Sequence, residues 1–304
     1  MSAPPPLRPL LYEDLMRRAL AEDLGQAGDI TTDSIVPESR DGVGEIVARA
    51  PGRVAGLEVA LLAFRLLDSD TAIEVCRPDG ADVEASQVLT RVRGRARALL
   101  TGERTALNLL GRMCGIATAT RDVVGRLEGL PTRIAATRKT TPGLRALEKY
   151  AVRVGGGLSH RYGLHDAVLI KDNHVALAGG IAPAVEQARK GAGHTVRIEV
   201  EVDTLGQLDE VLELGVDVVL LDNMDDETLR EAVRRSRGRV LTEASGGIRP
   251  DSVRAVAETG VDIISLGWLT HSAPALTSPS ISSPERGAST PAAGALSRVA
   301  AEVW

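Results

Sequence analysis

Short apolar runs alternate with helical stretches from Pro131 onward. The runs read RIAAT, AVLI, RIEVEV, VDVVLL, RVLTEA and VDIISL. Near-continuous apolar strands of this length are typical of a parallel sheet that is buried on both faces. The pattern predicts six strands of a (β/α) barrel, with a possible seventh strand that it does not place. A doubly wound open sheet is the alternative, although both common nucleotide-binding fingerprints, G-x-G-x-x-G after the first strand and G-x-x-x-x-G-K-[ST], are absent.

A different pattern precedes this region. Residues from about 43 to 100 mix strand-like runs with one apolar helix, LEVALLAFRLLD, and predict a small α+β unit. The stretch TGERTALNLLGRMCGIATATRDVVGRL predicts a long helix or a pair of helices. We therefore place an N-terminal domain with a helical linker at 11–115 and the barrel at 116–276. The Pro-rich start, 1–10, is predicted to be disordered, and 277–304 is predicted to be a disordered, low-complexity tail.

Composition excludes several classes of protein. Hydrophobic residues make up 43% of the 304 residues and aromatic residues 2%, so Ala, Val, Leu and Ile must build the core. No apolar run is long enough for a membrane span, and the start has no signal-peptide pattern. Cys76 and Cys114 show neither metal spacing nor a disulfide framework, so we expect a cytoplasmic protein. The net charge of −5 argues against a general nucleic-acid binder.

Polar residues and glycines follow every predicted strand. In a parallel barrel the carboxyl ends of the strands meet at one rim, where the chemistry takes place. The clusters at these ends are Thr137-Arg138-Lys139, Lys171-Asp172-Asn173, Glu201 with Asp203, Asp222-Asn223, Glu243 with Ser245-Gly246-Gly247, and Ser265 with Gly267. Surface loops need not align in this way, so the pattern predicts a functional site at the rim.

The rim residues fall into three chemical groups. The early strands and the loops after them supply cations, which are Arg138, Lys139, His160, Arg161 and Lys171. Such a cluster repels itself unless an anion with several charges is bound, and Arg and Lys are suited to carboxylate and phosphate. Glu201 and Asp222 are carboxylates of the kind that hold Mg²⁺ together with substrate phosphates. The glycine turns of the last two strands expose backbone N–H groups that suit a phosphate. The residues predict a phosphorylated sugar with Mg²⁺ and a second anion, a carboxylate.

The helix that begins near GERTALNLL carries a further signal. On a helical wheel Arg104, Asn108, Gly111 and Gly115 share one face, and larger apolar residues share the other. The first face is too small and polar for a core. It predicts close packing against another surface, with Arg104 projecting.

Long ordered motifs resemble the quinolinate phosphoribosyltransferase family, also called nicotinate-nucleotide pyrophosphorylase. The motifs include EDLGQAGDITT, GERTALNLLGRMCGIAT, TRKTTPGLRALEKYAVRVGGGLSHRYGLHDAVLIKDNH, EVEVDTLGQ, VVLLDNM, EASGGI and ISLGWLTHSAPAL, and they extend from about residue 11 to 276. The resemblance implies an α/β fold, an incomplete (β/α) barrel with an N-terminal open α/β sandwich domain. It also implies a pentosyltransferase that makes nicotinate mononucleotide, pyrophosphate and CO₂ from quinolinate and phosphoribosyl pyrophosphate in NAD biosynthesis.

The resemblance also implies residue roles. Quinolinate carboxylates and phosphates would be bound by Thr137, Arg138, Lys139, His160, Arg161 and Lys171. Glu201 and Asp222 would face the ribose and Mg²⁺, and the 5-phosphate would be held by Ser245, Gly246, Gly247, Ser265, Leu266 and Gly267. The catalytic residues would be Lys139, Lys171, Glu201 and Asp222. The family forms dimers or assemblies of dimers, in which Arg104 would enter the site of the partner subunit.

The chain departs from the family after THSAPAL. A short acidic-apolar strand usually follows there in the family, and this chain has TSPSISS instead.

Three alternatives stay open at this point. One alternative is a Schiff-base aldolase on the same barrel with Lys171 as the nucleophile. Another is a paralogue that kept the fold and takes another substrate. A third is a non-catalytic sensor of phosphoribosyl pyrophosphate, although the carboxylates and lysines that such a loss would remove are present.

Overall fold

The computed structural model describes residues 4–276 and 297–303 of the chain. Its helices are α1 (Glu13–Leu24), α2 (Ile30–Ile35), α3 (Leu57–Leu67), α4 (Ala96–Arg126), α5 (Arg145–Val154), α6 (Asp172–Ala178), α7 (Ile181–Gly191), α8 (Leu205–Leu214), α9 (Asp226–Ser236), α10 (Val253–Ala257) and α11 (Trp268–His271). Its strands are β1 (Asp41–Ala48), β2 (Gly52–Arg53), β3 (Ala72–Val75), β4 (Asp82–Val83), β5 (Val88–Arg95), β6 (Arg133–Ala136), β7 (Leu158–Ser159), β8 (Val168–Ile170), β9 (Ile198–Val202), β10 (Val218–Asp222), β11 (Leu241–Ser245), β12 (Ile263–Leu266) and β13 (Ser297–Val303).

Two compact units divide the chain. The first comprises Met1–Ala119, Pro142–Gly155 and Ser272–Trp304, and the second comprises Thr120–Thr141 and Gly156–His271. The predicted long helix or pair of helices is a single helix, α4, of 31 residues. Among the residues that the structure describes, no helix combines the length and the apolar character needed to cross a bilayer.

A mixed four-stranded sheet organises the first unit. Its order is β13-β1-β5-β3, in which β5 runs antiparallel to both β1 and β3. Helix α3, the predicted apolar helix, buries most of its side chains and packs against α1. The carboxylate of Asp79 accepts hydrogen bonds from the backbone N–H groups of Gly56 and Leu57, at 2.8 and 3.0 Å. These groups lie at the start of α3, where a helix leaves its N–H groups without internal partners.

The ends of the chain differ from the sequence expectation. Ser297–Val303, inside the predicted tail, forms β13 and pairs in parallel with β1, beginning at Gly42 opposite Ser297. Pro9–Leu11, which overlaps the end of the predicted disordered start at 1–10, forms a short 3-10 helix. Strand β13 forms because its backbone pairs with the edge strand β1. Amino-acid composition does not predict such a pairing. The remainder of the predicted tail, 277–296 and Trp304, lies outside the described residues, as do residues 1–3.

One face of α4 packs closely against residues 273–276. A Cβ atom added at Gly115 would collide with the backbone oxygen of Pro274. The backbone N–H of Leu276 donates a hydrogen bond to the oxygen of Gly111, at 3.2 Å. Arg104 is exposed on the same helix. The close packing predicted from the small residues of this face is therefore confirmed.

The second unit is an incomplete parallel barrel. Its seven-stranded sheet has the order β7-β6-β12-β11-β10-β9-β8. Strands β6 and β12 are the first and last strands of this unit along the chain, and they pair with each other in the sheet. Such a pairing occurs in a barrel and not in a doubly wound sheet. The sheet stays open between β7 and β8. The predicted fold class is confirmed, and the seventh strand that the pattern did not place is β7, only two residues long.

Aspartates tie neighbouring strands together where they begin. Asp217 Oδ2 accepts a hydrogen bond from the backbone N–H of Ile198, at 2.8 Å. Asp262 Oδ2 accepts hydrogen bonds from the backbone N–H and the hydroxyl of Thr242, at 2.9 and 2.8 Å. Because Thr242 is buried, these donors depend on the carboxylate for a partner. The strand starts are thereby held in register, and the rim at the opposite ends is held with them.

Replacing Asp262 by alanine is expected to destabilise the barrel by about 2 kcal/mol, because it removes the acceptor from two donors of a buried residue. The measurement is the melting temperature. Asp251→Ala is the matched control, since the Asp251 side chain is 77% exposed and lies 3.8 Å from its partner Arg249. An equal change in both variants would show that the Thr242 contacts do not matter for stability.

Candidate active site

A cavity of about 420 Å³ lies at the carboxyl ends of the barrel strands. It is lined by Thr137, Arg138, Lys139, His160, Arg161, Leu169, Lys171, Glu201, Leu220, Asp222, Glu243, Ser245 and Ser265. Each of the seven barrel strands contributes a residue at or just after its carboxyl end. The structure thus brings together most of the residues that the sequence predicted, as the rim rule requires.

Cations form one side of the cavity. Arg138 and Lys139 follow β6, and the hydroxyl of Thr270 donates a hydrogen bond to the Lys139 backbone oxygen, at 2.7 Å. Arg161 follows β7 and donates from Nη1 to the backbone oxygen of Ala167, at 3.3 Å. Burial and the neighbouring Arg138 lower the pKa of Arg161. Two guanidinium groups held this close and half-buried repel each other, so this side is suited to an anion.

Carboxylates form the facing side. Glu201 lies on β9, and its Oε2 contacts Nζ of Lys171. Asp222 ends β10 and accepts a hydrogen bond from Nδ2 of Asn223, at 2.6 Å. Burial raises the pKa of Asp222; the charge of Lys171 lowers it and that of Asp203 raises it. Burial therefore disfavours the ionised form of Asp222, and the nearby charge of Lys171 favours it.

Asp222→Asn is expected to raise the melting temperature at neutral pH. Because burial raises the pKa of Asp222, the folded protein binds its proton more readily than the unfolded chain does. The ionised group therefore costs stability at neutral pH, and the difference between variant and parent should shrink as the pH falls through the pKa of Asp222. The measurement is melting temperature against pH.

Asp225→Asn is the control for this prediction. Hydrogen bonds from Thr228 lower the pKa of Asp225, which caps α9. Its charged form is favoured by folding, so removing the charge should not raise the melting temperature. A lower melting temperature for Asp222→Asn at neutral pH would contradict the raised pKa of Asp222.

Glycines lie beside the two serines of the cavity. Gly246 has a positive φ of 98°, and a Cβ atom there would collide with Oδ1 of Asn223. A Cβ atom at Gly267 would lie 2.9 Å from Cδ of Lys139. Both positions bring the backbone close to rim side chains, and at Gly246 the positive φ and the contact with Asn223 together require glycine. Ser245 and Ser265 line the cavity itself.

Five predicted residues do not line this cavity. They are Arg104, Gly246, Gly247, Leu266 and Gly267. Leu266 is buried because it alternates with Ser265 along β12 and points to the other face of the strand. Arg104 belongs to the first unit, on α4. The three glycines lie within two residues of Ser245 or Ser265, which line the cavity.

Sequence reasoning placed Glu243 among the strand-end clusters without a role, and it did not single out Leu169, Leu220 or Glu199. The first three line the cavity, and Glu199 lies beneath it on β9. A signal for the two glutamates was available, because Glu199 precedes Glu201 by two residues and Glu243 precedes Ser245 by two. In a strand such pairs share a face.

Family profiles match the whole of the predicted barrel domain and most of the predicted N-terminal domain. The profile of the quinolinate phosphoribosyl transferase C-terminal domain matches residues 116–277, and that of the N-terminal domain matches residues 29–114. The chain belongs to the quinolinate phosphoribosyl transferase family. The resemblance seen in the motifs is confirmed, and the cavity lies within the C-terminal domain of this family.

Individual proteins that the chain is similar to belong to the same quinolinate phosphoribosyl transferase family. The chain is 45% identical over 267 residues to the probable carboxylating nicotinate-nucleotide pyrophosphorylase of Bacillus subtilis, with 88% of this chain and 92% of the relative covered. It is 46% identical over 267 residues to the carboxylating enzyme of that name from Mycobacterium leprae, with 85% and 93% covered. The crystal structure of NadC from Streptococcus pyogenes is similar with a TM-score of 0.86 at 37% identity, covering 89% of this chain and 95% of that one.

Proposed function

We propose that this chain transfers the phosphoribosyl group of phosphoribosyl pyrophosphate to quinolinate and decarboxylates the adduct, giving nicotinate mononucleotide, pyrophosphate and CO₂ in NAD biosynthesis. One observation carries the proposal, the single cavity in which Arg138, Arg161 and Lys171 face the carboxylates of Glu201 and Asp222. The relatives named carboxylating nicotinate-nucleotide pyrophosphorylase support it.

Quinolinate is a dicarboxylate, and the cationic side of the cavity suits it. Arg138 and Arg161 offer planar forks that match a carboxylate, and His160 lies next to them. Thr137, Lys139 and Lys171 complete this side. Burial, and after it the charge of Arg138, lower the pKa of Arg161, and binding the dianion would relieve the repulsion between the two guanidinium groups. The phosphates of the second substrate take the remaining cations.

The sugar lies towards the carboxylates in this proposal. The quinolinate ring nitrogen attacks C1 of the ribose as the bond to pyrophosphate breaks, and positive charge builds on the sugar. Glu201 and Asp222 offset that charge, while Lys139 and Lys171 stabilise the leaving pyrophosphate. Positioning and electrostatics supply most of the acceleration, and one preorganised contact of this kind contributes about 3 kcal/mol. The adduct then loses its 2-carboxylate as CO₂; the C–C bonding electrons pass to the ring, which the cationic nitrogen stabilises, and the carbon takes a proton.

The 5-phosphate is assigned to the last two strands. Ser245 and Ser265 line the cavity, and the turns at Gly246–Gly247 and Leu266–Gly267 that follow them would supply backbone N–H groups. The position of these turns directly after Ser245 and Ser265 supports this assignment.

Mg²⁺ is proposed as the cofactor, bound together with the substrate phosphates. The donor set fits, since Glu201 and Asp222 are hard oxygen ligands on neighbouring strands. Both carboxylates already contact nitrogen donors, Lys171 and Asn223, which suits a metal held mainly through water and phosphate. When bound, the ion would neutralise charge on the leaving pyrophosphate.

A homodimer, or an assembly of dimers, is also proposed, with Arg104 entering the site of the partner subunit. The exposed position of Arg104 on α4 supports a contact outside its own chain. We further propose a cytoplasmic location, which fits the two free thiols, Cys76 and Cys114.

The direct test mixes the pure protein with quinolinate, phosphoribosyl pyrophosphate and Mg²⁺ and follows nicotinate mononucleotide and CO₂. Nicotinate is the parallel substrate, and product from quinolinate alone would show that the second carboxylate is required. Borohydride trapping on Lys171 with a carbonyl substrate would support the aldolase instead. Binding of the sugar phosphate without product from either pyridine would favour a paralogue or a sensor.

A further inference from the structure

A second cavity, of about 220 Å³, lies within the first unit. The start of α3 and Tyr150 of α5 contribute to its wall, together with Pro4, Pro6 and Leu7 from the Pro-rich start of the chain. It shares no lining residue with the proposed substrate cavity, whose residues all belong to the second unit. Its volume is below that of a drug-sized site, so it suits a small ligand.

Apolar and aromatic side chains make up most of the wall. Leu57 and Val59 of α3 are buried, as are the two tyrosines, Tyr12 and Tyr150. Such a wall favours an apolar ligand body, because contact with it removes apolar surface from water. The same wall carries two carboxylates, Asp79 and Glu58. Their position decides which charge the ligand can carry.

Asp79 is fixed in the wall by three hydrogen bonds. Its Oδ2 accepts from the backbone N–H of Gly56 and from the hydroxyl of Tyr150, both at 2.8 Å. Its Oδ1 accepts from the backbone N–H of Leu57, at 3.0 Å. A carboxylate has about four lone-pair sites, so a further donor can bind Asp79. The carboxylate also occupies the place at the start of α3 where an anion would otherwise be favoured.

The charges around Tyr12 are mainly negative. Burial is the largest cause that raises its pKa, and the charge of Glu58 is the next. Arg65, which pairs with Glu58 at 3.0 Å, lowers this pKa. Glu13 and Asp79 raise it further. Three carboxylates thus oppose one guanidinium, and among the described residues no lysine or arginine lines the cavity.

We propose that this cavity binds a small organic cation, an ammonium group on an apolar body. The ammonium group would lie near Asp79 and Glu58, beside the tyrosine rings, whose electron-rich faces attract cations. The apolar body would contact Leu57 and Val59. An anion is disfavoured because the wall offers it carboxylates and no cation. The proposal does not rest on the proposed function.

The test uses three probes of similar shape and different charge. Benzylamine is a cation at neutral pH, benzyl alcohol is neutral and benzoate is an anion. Binding to the full chain is measured by isothermal titration calorimetry. We expect benzylamine to bind about tenfold more tightly than benzyl alcohol. Equal affinities of these two probes, or no binding of benzylamine to the folded protein, would overturn the proposal.

A second measurement locates the bound probe, because benzoate suits the cationic substrate cavity instead. Val59 and Val75 both line the proposed site. Their methyl signals in valine-labelled protein are assigned with Val59→Ala and Val75→Ala. Benzylamine should shift both signals, and benzoate should shift neither. Benzylamine shifts that are confined to other valines would place the probe elsewhere and refute the inference.

Glu58→Gln tests the charge of the wall directly. Glutamine keeps the shape of the side chain and removes one carboxylate, and the exposed position of Glu58 makes unfolding unexpected. We expect the affinity for benzylamine to fall about fivefold, with that for benzyl alcohol within about twofold of the parent. An unchanged affinity for benzylamine would show that the wall does not select a cation.

Glu22→Gln is the matched control. Glu22 is exposed near the other end of α1 from Tyr12, about 15 Å away along the helix. This variant should bind all three probes as the parent does, and an equal loss in both variants would refute a local effect of Glu58. If the protein makes no product from quinolinate, the proposed function fails, and the binding tests still decide the nature of this cavity.

Discussion

Arg138→Ala and Lys171→Ala are each expected to lower kcat/KM about a hundredfold or more while the protein stays folded. Both side chains line the cavity, and Lys171 also contacts the carboxylate of Glu201. Each contributes a preorganised charge where the substrates carry opposite charge, and losing one such contact typically costs about 3 kcal/mol of transition-state stabilisation. Steady-state kinetics with each substrate varied in turn is the measurement.

Lys190→Ala is the matched control for this pair. Lys190 lies on α7, where its side chain is 73% exposed and pairs with Glu186 one helical turn away. Its loss should leave both the kinetics and the melting temperature close to those of the parent. Full activity in Arg138→Ala or Lys171→Ala would refute the role assigned to that residue. A collapse of the melting temperature would show instead that the side chain supports the fold.

Gly246→Ala is expected to lower both activity and stability. The position has a φ of 98°, which side-chain-bearing residues rarely adopt, and the new Cβ atom would collide with Asn223. Asn223 itself has a positive φ of 54° and donates a hydrogen bond to Asp222, so a shift there displaces a carboxylate of the cavity. We expect a loss of about 2 kcal/mol in stability and a kcat/KM for phosphoribosyl pyrophosphate lowered more than tenfold.

Gly238→Ala is the control that separates backbone strain from the collision with Asn223. Gly238 has a φ of 75°, and no atom lies within 4 Å of a Cβ atom added there. This variant therefore has the backbone strain without the collision, at the end of the barrel away from the rim. It should lose stability and keep its activity. If Gly246→Ala retains the activity of Gly238→Ala, the contact with Asn223 does not position Asp222.

Much of the fold follows from local pattern. Runs such as VDVVLL and VDIISL are mostly apolar because both faces of a barrel strand are buried, so they predict the strands that the structure shows as β10 and β12. Strand β7 was not, because Leu158–Ser159 is too short for any period. Strand β13 was not, because its order comes from pairing with β1, a partner about 250 residues away in the chain.

The site shows the same division. The rim rule located Arg138, Lys171, Glu201 and Asp222 because they end strands, and the strands meet at one rim. The rule looks only at strand ends, so it gave no role to Glu199, which lies inside a strand. Its contact with His160 is visible only in the tertiary structure, where the two side chains lie 2.8 Å apart.

By itself, the sequence determined the class of fold, the family and the residues that reach the rim, because apolar runs and strand-end chemistry are local properties that survive without coordinates. Only the tertiary structure decided which charges meet. The contact of Lys171 with Glu201 and that of His160 with Glu199 and Glu243 join residues 30 or more positions apart. Such pairings depend on strand order and on the direction of each side chain, and Coulomb interactions fall off with distance in space rather than along the chain.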